Sequence, residues 1–117
     1  MRSIREWQRE VYLLAEKKGW HPPHVDHQAR IPERLCLVHS EVSEALEAFR
    51  EGHIATHYPH VTAHGQGKPE GLASELADVV IRVMDMCEPL GIDLEWEIER
   101  KHAFNKTRSH RHGGKKA

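Results

Sequence analysis

This sequence predicts a single all-α domain of four helices, and three observations carry that reading. Apolar residues recur at helical spacing in four separate stretches, segments rich in proline, glycine and histidine part those stretches, and nowhere do apolar and polar residues alternate as in a half-buried strand. With 117 residues, the chain is long enough for one core and too short for two. It contains no internal repeat.

The first helix starts after Ser3, a suitable N-cap, and carries Ile4, Trp7, Val11 and Leu14 on one face, with Glu6 in its first turn. Gly19, following Lys17 and Lys18, ends it. Residues 20–30 (WHPPHVDHQAR) hold two prolines and three histidines without a period, so they form a connection. Pro32 fits the first turn of the second helix, which runs through LCLVHSEVSEALEAFRE to Gly52. Residues 53–70 (HIATHYPHVTAHGQGKPE) make a loop long enough that it is expected to be a lid or to be partly disordered. The third helix takes LASELADVVIRVMDMCE and stops near Pro89 and Gly91; Asp93 caps the fourth, LEWEIERKHAFNK. Residues 109–117 follow as a basic tail. Trp7 and Trp96 sit at core spacing, and Cys36 and Cys87 lie within apolar helical patterns, so both thiols are expected as reduced core residues.

Hydrophobic residues make up 38% of the chain and charged residues 30%, enough for a core and too polar for a membrane span. No basic segment at the start leads into an apolar run and a cleavage site, which places the protein in the cytoplasm with no membrane partner. The net charge of −1 conceals an asymmetry: all 18 acidic residues precede Arg100, whereas 7 of the 17 basic ones lie at or beyond it. An acidic body with a basic end suits a cation at one place and phosphates at another.

The acidic residues locate the cation. On the second helix Leu35, Val38, Val42, Ala45, Leu46 and Phe49 form one stripe, the expected core face, and Glu41 and Glu44 fall beside it among apolar neighbours. On the third helix apolar residues cover about two thirds of the circumference, and the remaining wedge holds Glu75, Asp78, Arg82 and Asp85. Two i,i+3 carboxylate pairs on mostly apolar helices need neutralising, because an unpaired buried carboxylate costs several kcal/mol. Mg²⁺, with Mn²⁺ as a substitute, takes oxygen ligands and leaves positions for water and phosphate oxygens. A di-iron bundle would require Glu-x-x-His, which neither pair has.

In this setting SEVSEALEAFR at 40–50, ELADVVIR at 75–82, GIDLE at 91–95 and KHAFNKTR at 101–108 resemble the MazG-like all-α nucleoside triphosphate pyrophosphohydrolases. The similarity covers about residues 32–114. It implies a four-helix bundle completed by oligomerisation, as a dimer or a tetramer. It also implies Mg²⁺-dependent cleavage of a nucleoside triphosphate between the α and β phosphates, giving monophosphate and pyrophosphate, in nucleotide-pool housecleaning. Carried over position by position, Glu41, Glu44, Glu75 and Asp78 would hold the metal. Lys101, Asn105 and Arg108 would face phosphates or sugar, and Arg82 would line the pocket, although relatives carry a hydroxyl-bearing aromatic there.

The residues add a charge argument to the resemblance. Four carboxylates and two Mg²⁺ sum to zero while the substrate brings about −4, so basic side chains or a further metal must supply the balance. Lys101, Arg108 and Arg82 are available, and Glu44 is the candidate to orient or deprotonate the attacking water. Trp20 lies where an aromatic ring can stack on a base. His53, His57, His60 and His64 are loosely spaced and are read as incidental loop residues. There is no Gly-rich phosphate loop followed by Lys. The competing reading is a small helical nucleic-acid-binding or regulatory module whose tail, with Lys106, Arg108, Arg111, Lys115 and Lys116, contacts phosphate backbone. Such a module gains nothing from the acidic pairs, so nucleic acid is the disfavoured partner.

Overall fold

A computed structural model describes residues 1–108, which form α1 (Ile4–Lys17), α2 (Ile31–Arg50), α3 (Leu72–Cys87) and α4 (Leu94–Lys106). A two-stranded antiparallel ladder of β1 (Val61–Thr62) and β2 (Gly65–Gln66) lies between α2 and α3, with Val61 opposite Gln66 and Thr62 opposite Gly65. The tail at 109–117, with Arg111, Lys115 and Lys116, lies outside the described residues. The helical class holds. The expectation of no strand is corrected by this ladder, in which two residues a side are too few for alternation to show.

The helix ends follow local chemistry. The Ser3 hydroxyl accepts from the Glu6 backbone N–H at 3.1 Å, and the Glu6 carboxylate accepts from Ser3 N–H at 3.0 Å, a reciprocal capping box. Asp93 caps α4 by accepting from Trp96 N–H at 3.2 Å. Arg5 of α1 grips the same carboxylate at 2.8 Å and that of Glu95 at 2.9 Å, tying the start of α4 to α1. Helix α3 has no side-chain cap. Its first N–H groups, on Leu72 and Ala73, donate to the carbonyls of His53 and Ile54 at 2.8 and 3.0 Å.

The 53–70 segment therefore docks onto the start of α3. His57 and Glu70 exchange both backbone hydrogen bonds at 2.9 and 2.8 Å, closing the segment into a folded-back loop. Gly71 turns this corner at φ 115°, where a Cβ would run into the Ala55 carbonyl.

Helices α2 and α3 pack together and α1 lies against α3. Only Ala15, Ala45, Met84 and Cys87 are buried apolar residues among those described, and they share the interior with Gln8, Glu41 and Glu75. Gln8 compensates for its burial. Its amide donates to the Ile92 carbonyl at 2.7 Å and to Glu88 at 3.1 Å, and its oxygen accepts from Leu94 N–H at 3.2 Å. Gln8→Leu strands these partners and is expected to lower unfolding free energy by about 2 kcal/mol, read as a reduced urea midpoint at unchanged m.

Several core expectations are corrected. The α2 stripe is split: Val38 and Ala45 turn inward as expected, whereas Leu35, Val42, Leu46 and Phe49 are exposed, Phe49 at 58%. The inward line of α2 is instead Ile31, Arg34, Val38, Glu41, Ala45 and Ala48. Helix α3 turns Glu75 inward and leaves Leu76, Val80 and Ile81 exposed. Cys36 is exposed while Cys87 is buried, and Trp7 and Trp96 are about half exposed. The Cα radius of gyration, 17.2 Å, exceeds the value of about 13 Å for a compact chain of this length.

Candidate metal centre

Glu41 comes from the middle of α2, Glu75 from the first turn of α3 and Asp78 from the next turn, and one carboxylate oxygen from each falls within 4.8 Å of the others. Glu41 and Glu75 are buried. Helix geometry puts Glu75 and Asp78 on one face.

Two cations stand beside the triad. Arg82, one turn past Asp78, donates from Nε to Glu41 Oε1 at 2.7 Å. Lys68, from the folded-back loop, lies close enough to favour the charged forms of Glu41 and Asp78. Burial pushes the Glu41 carboxyl up, but hydrogen bonds from Arg82 and Glu44 outweigh it and hold the group below the ordinary carboxylate range. Glu44 is exposed, and its pKa is raised, chiefly by its hydrogen bond to Glu41, then by burial and by the charges of Glu41 and Glu75. The pair therefore takes up its first proton on Glu44 as pH falls. Asp78 is raised by burial first and by the charge of Glu41 second.

The donor set suits a hard divalent cation. Neighbouring ligands of an octahedral Mg²⁺ lie about 3 Å apart and opposite ones about 4.2 Å, so oxygens within 4.8 Å of one another stand near the spacing that a shared ion requires. Glu75 Oε2 is buried with no hydrogen-bond partner, a costly arrangement for a carboxylate oxygen and one that a cation removes. Arg82 claims one oxygen of Glu41 and leaves the other. Of the four acids named from the sequence, three form the cluster and Glu44 adjoins it from the solvent side.

One cavity borders this centre and a second adjoins that cavity. The larger, 730 Å³, has walls from Trp7, Leu13, Leu14, Trp20 and Ile81, with Glu41, Asp78 and Arg82 also lining it. The second, 420 Å³, is lined by Trp20, His21, Arg30, Arg34, Arg82 and Asp85 among others. Trp20, Arg82 and Asp85 border both. Trp20 thus reaches the site. Lys101 and its neighbours do not reach it within this chain: α4 packs chiefly on α1, and Lys101 borders a shallow hollow with Glu97, Arg100 and Phe104. Asn105 and Arg108 continue along that exposed helix end. His53 and His57 stack at 4.4 Å between ring centroids within the docked loop.

Sequence reasoning missed Lys68, His21, Arg30 and Arg34. Arg34 stands two turns before Glu41 and hence on the same helix face, a signal available from spacing. Lys68 carried none, because its position depends on how the loop folds back. No family model, no curated protein and no solved structure matches this chain.

Proposed function

We propose that the protein hydrolyses nucleoside triphosphates to monophosphate and pyrophosphate with Mg²⁺, in nucleotide-pool housecleaning. The observation that carries this reading is the buried carboxylate triad, with its unpartnered Glu75 oxygen, at an apolar aromatic chamber that adjoins a basic one across Trp20, Arg82 and Asp85. A nucleotide asks for the same three surroundings: an apolar wall for its base, a cation at the reacting phosphate and positive charge for the further phosphates. Glu41, Glu75 and Asp78 would hold Mg²⁺, or Mn²⁺ in its place, with Glu44 at the solvent edge. The bound ion would neutralise phosphate oxygens and ease deprotonation of water.

The residues then divide the work. Glu44, whose carboxyl titrates above the usual range, orients the attacking water and accepts its proton once Glu41 is committed to the cation. Trp7 and Trp20 wall a volume that fits a nucleoside, with Trp20 free to stack on the base. Arg82 holds Glu41 in place and faces both chambers. Lys101, Asn105 and Arg108 can serve phosphates or sugar only by meeting the site of another copy.

A homo-oligomer, dimer or tetramer, belongs to this reading. The outward stripe of α2 and the outward apolar residues of α3 leave too small a core for one chain to fold on its own. Among the described residues no helix is long and apolar enough to cross a membrane. The reading keeps the protein in the cytoplasm.

The test is pyrophosphate release from a panel of ribo- and deoxynucleoside triphosphates, with Mg²⁺ and with a chelator. Release that depends on Mg²⁺ and yields monophosphate in equal amount is expected for at least one nucleotide. Absence of release across the panel rejects the reading.

A further inference from the structure

The basic chamber, which adjoins the aromatic one across Trp20, Arg82 and Asp85, has a charge arrangement that the metal centre does not explain. Three guanidinium groups line it: Arg30 from the residue before α2, Arg34 from the first turns of α2 and Arg82 from α3. Guanidinium groups only donate, and their planar forks match phosphoryl oxygens. The one carboxylate lining the chamber, Asp85, is engaged by His21 Nε2 at 3.0 Å. Arg34 in turn lies 3.1 Å from His21 Nδ1. Because Arg34 has no acceptor to offer, Nδ1 must accept and Nε2 must carry the hydrogen donated to Asp85. The imidazole therefore stands between Arg34 and Asp85, and the acid answers the histidine rather than the guanidinium.

Arg34 is left with no carboxylate among the described residues, and its Nη1 is buried without an acceptor. Arg30 pairs with Glu33 at 2.7 Å through Nη2, yet its Nε is likewise buried and unanswered. In a chain whose first 99 residues hold all 18 acidic groups, two arginines without enough acceptors at one cavity mark a place that awaits an oxyanion. Arg82 links this place to the triad, since it binds Glu41 at 2.7 Å and borders both chambers.

We infer that the chamber walled by Arg30, Arg34 and Arg82 is an oxyanion subsite that holds the β- and γ-phosphates of the substrate, the part that leaves as pyrophosphate. The α-phosphate then lies at the triad and the nucleoside in the aromatic chamber. The subsite supplies, within one chain, positive charge of the kind that the resemblance assigned to Lys101 and Arg108. The identity of the oxyanion rests on the nucleotide reading, whereas the existence of the subsite is testable without it.

The experiment measures inorganic pyrophosphate binding to the full chain by calorimetry in chelator, so that no metal bridges the anion to the carboxylates. Wild-type protein is expected to bind, more weakly as salt is raised. Arg34→Met, which keeps the aliphatic stem, is expected to weaken binding tenfold or more, Arg34→Lys to recover part of it, and Lys106→Met on the exposed end of α4 to leave it unchanged. If wild type does not bind pyrophosphate, or Arg34→Met binds it as wild type does, the subsite is refuted. Should Arg34→Met lose the wild-type helical circular dichroism, Arg30→Met is judged by the same tenfold criterion. Arginine-dependent pyrophosphate binding without hydrolysis of any nucleotide keeps the subsite and removes the nucleotide reading. Mg²⁺-dependent hydrolysis without arginine-dependent binding does the reverse.

Discussion

Asp78→Asn or Glu75→Gln is expected to lower Mg²⁺-dependent pyrophosphate release by a factor of about 10³ or more while the protein stays folded. The loss follows from removing one of three convergent oxygen donors, and retention of most activity would take that residue out of the site. The fold survives because a like charge leaves a cluster already under repulsion. The Asp78 carboxyl is held above its ordinary value by burial and by Glu41. In the metal-free chain it therefore keeps its proton at pH values where the unfolded chain has lost it. Its contribution to stability consequently falls as pH rises from the ordinary carboxylate value through the raised folded one. Glu44, raised mainly by its hydrogen bond to Glu41, acts with the same sign, and Glu41, which is lowered, acts with the opposite one. Metal-free Asp78→Asn should thus melt at or above wild type near neutral pH, with the difference shrinking toward about pH 4. Mg²⁺ should raise the wild-type Tm near neutral pH and leave it unchanged in acid, where protonated carboxyls do not ligate. Thermal melts at both pH values, with and without Mg²⁺, check each sign. A metal-free Asp78→Asn chain that melts far below wild type at neutral pH would contradict the electrostatic account.

Leu46→Glu, in the outward stripe of α2, is expected to break self-association and raise the dissociation constant about 100-fold or more, because a carboxylate forced into an apolar interface costs about 3 kcal/mol or beyond. Leu46 is half exposed in one chain, as are Leu35 and Val42 on the same stripe, so a lone chain would scarcely register the change. The contrast makes sedimentation decisive. Wild type should sediment at two or four times 13.5 kDa and Leu46→Glu as a smaller species with a lower Tm. Wild-type protein that sediments as a single chain at micromolar concentration removes the oligomer from the proposal. Unchanged sedimentation of Leu46→Glu places the interface on another face.

The amino-acid sequence determined by itself the helices and their ends. Ser3 and Asp93 cap where their position and type require, Gly19 and Gly52 stop two helices, and the four apolar periods match α1 to α4 with boundary shifts of about a residue or two. It also singled out Glu41, Glu44, Glu75 and Asp78, because acids among apolar neighbours on a helix are anomalous in themselves, and the fold brings three of the four together. Three things needed the tertiary structure. Which face of α2 turns inward depends on what packs against it, and here the side with Val38, Glu41 and Ala45 is covered while the bulkier Leu35, Val42, Leu46 and Phe49 stay exposed. Lys68 reaches the carboxylates only because the first N–H groups of α3 take their partners from His53 and Ile54, a long-range choice that no local pattern encodes. Lys101, Asn105 and Arg108 form a row on their helix, but helical periodicity fixes angles about one axis and says nothing of where that axis lies. The packing of α4 on α1 sets it apart from the acids, while Arg30 and Arg34 gather with Arg82 at a cavity that adjoins the one the acids line.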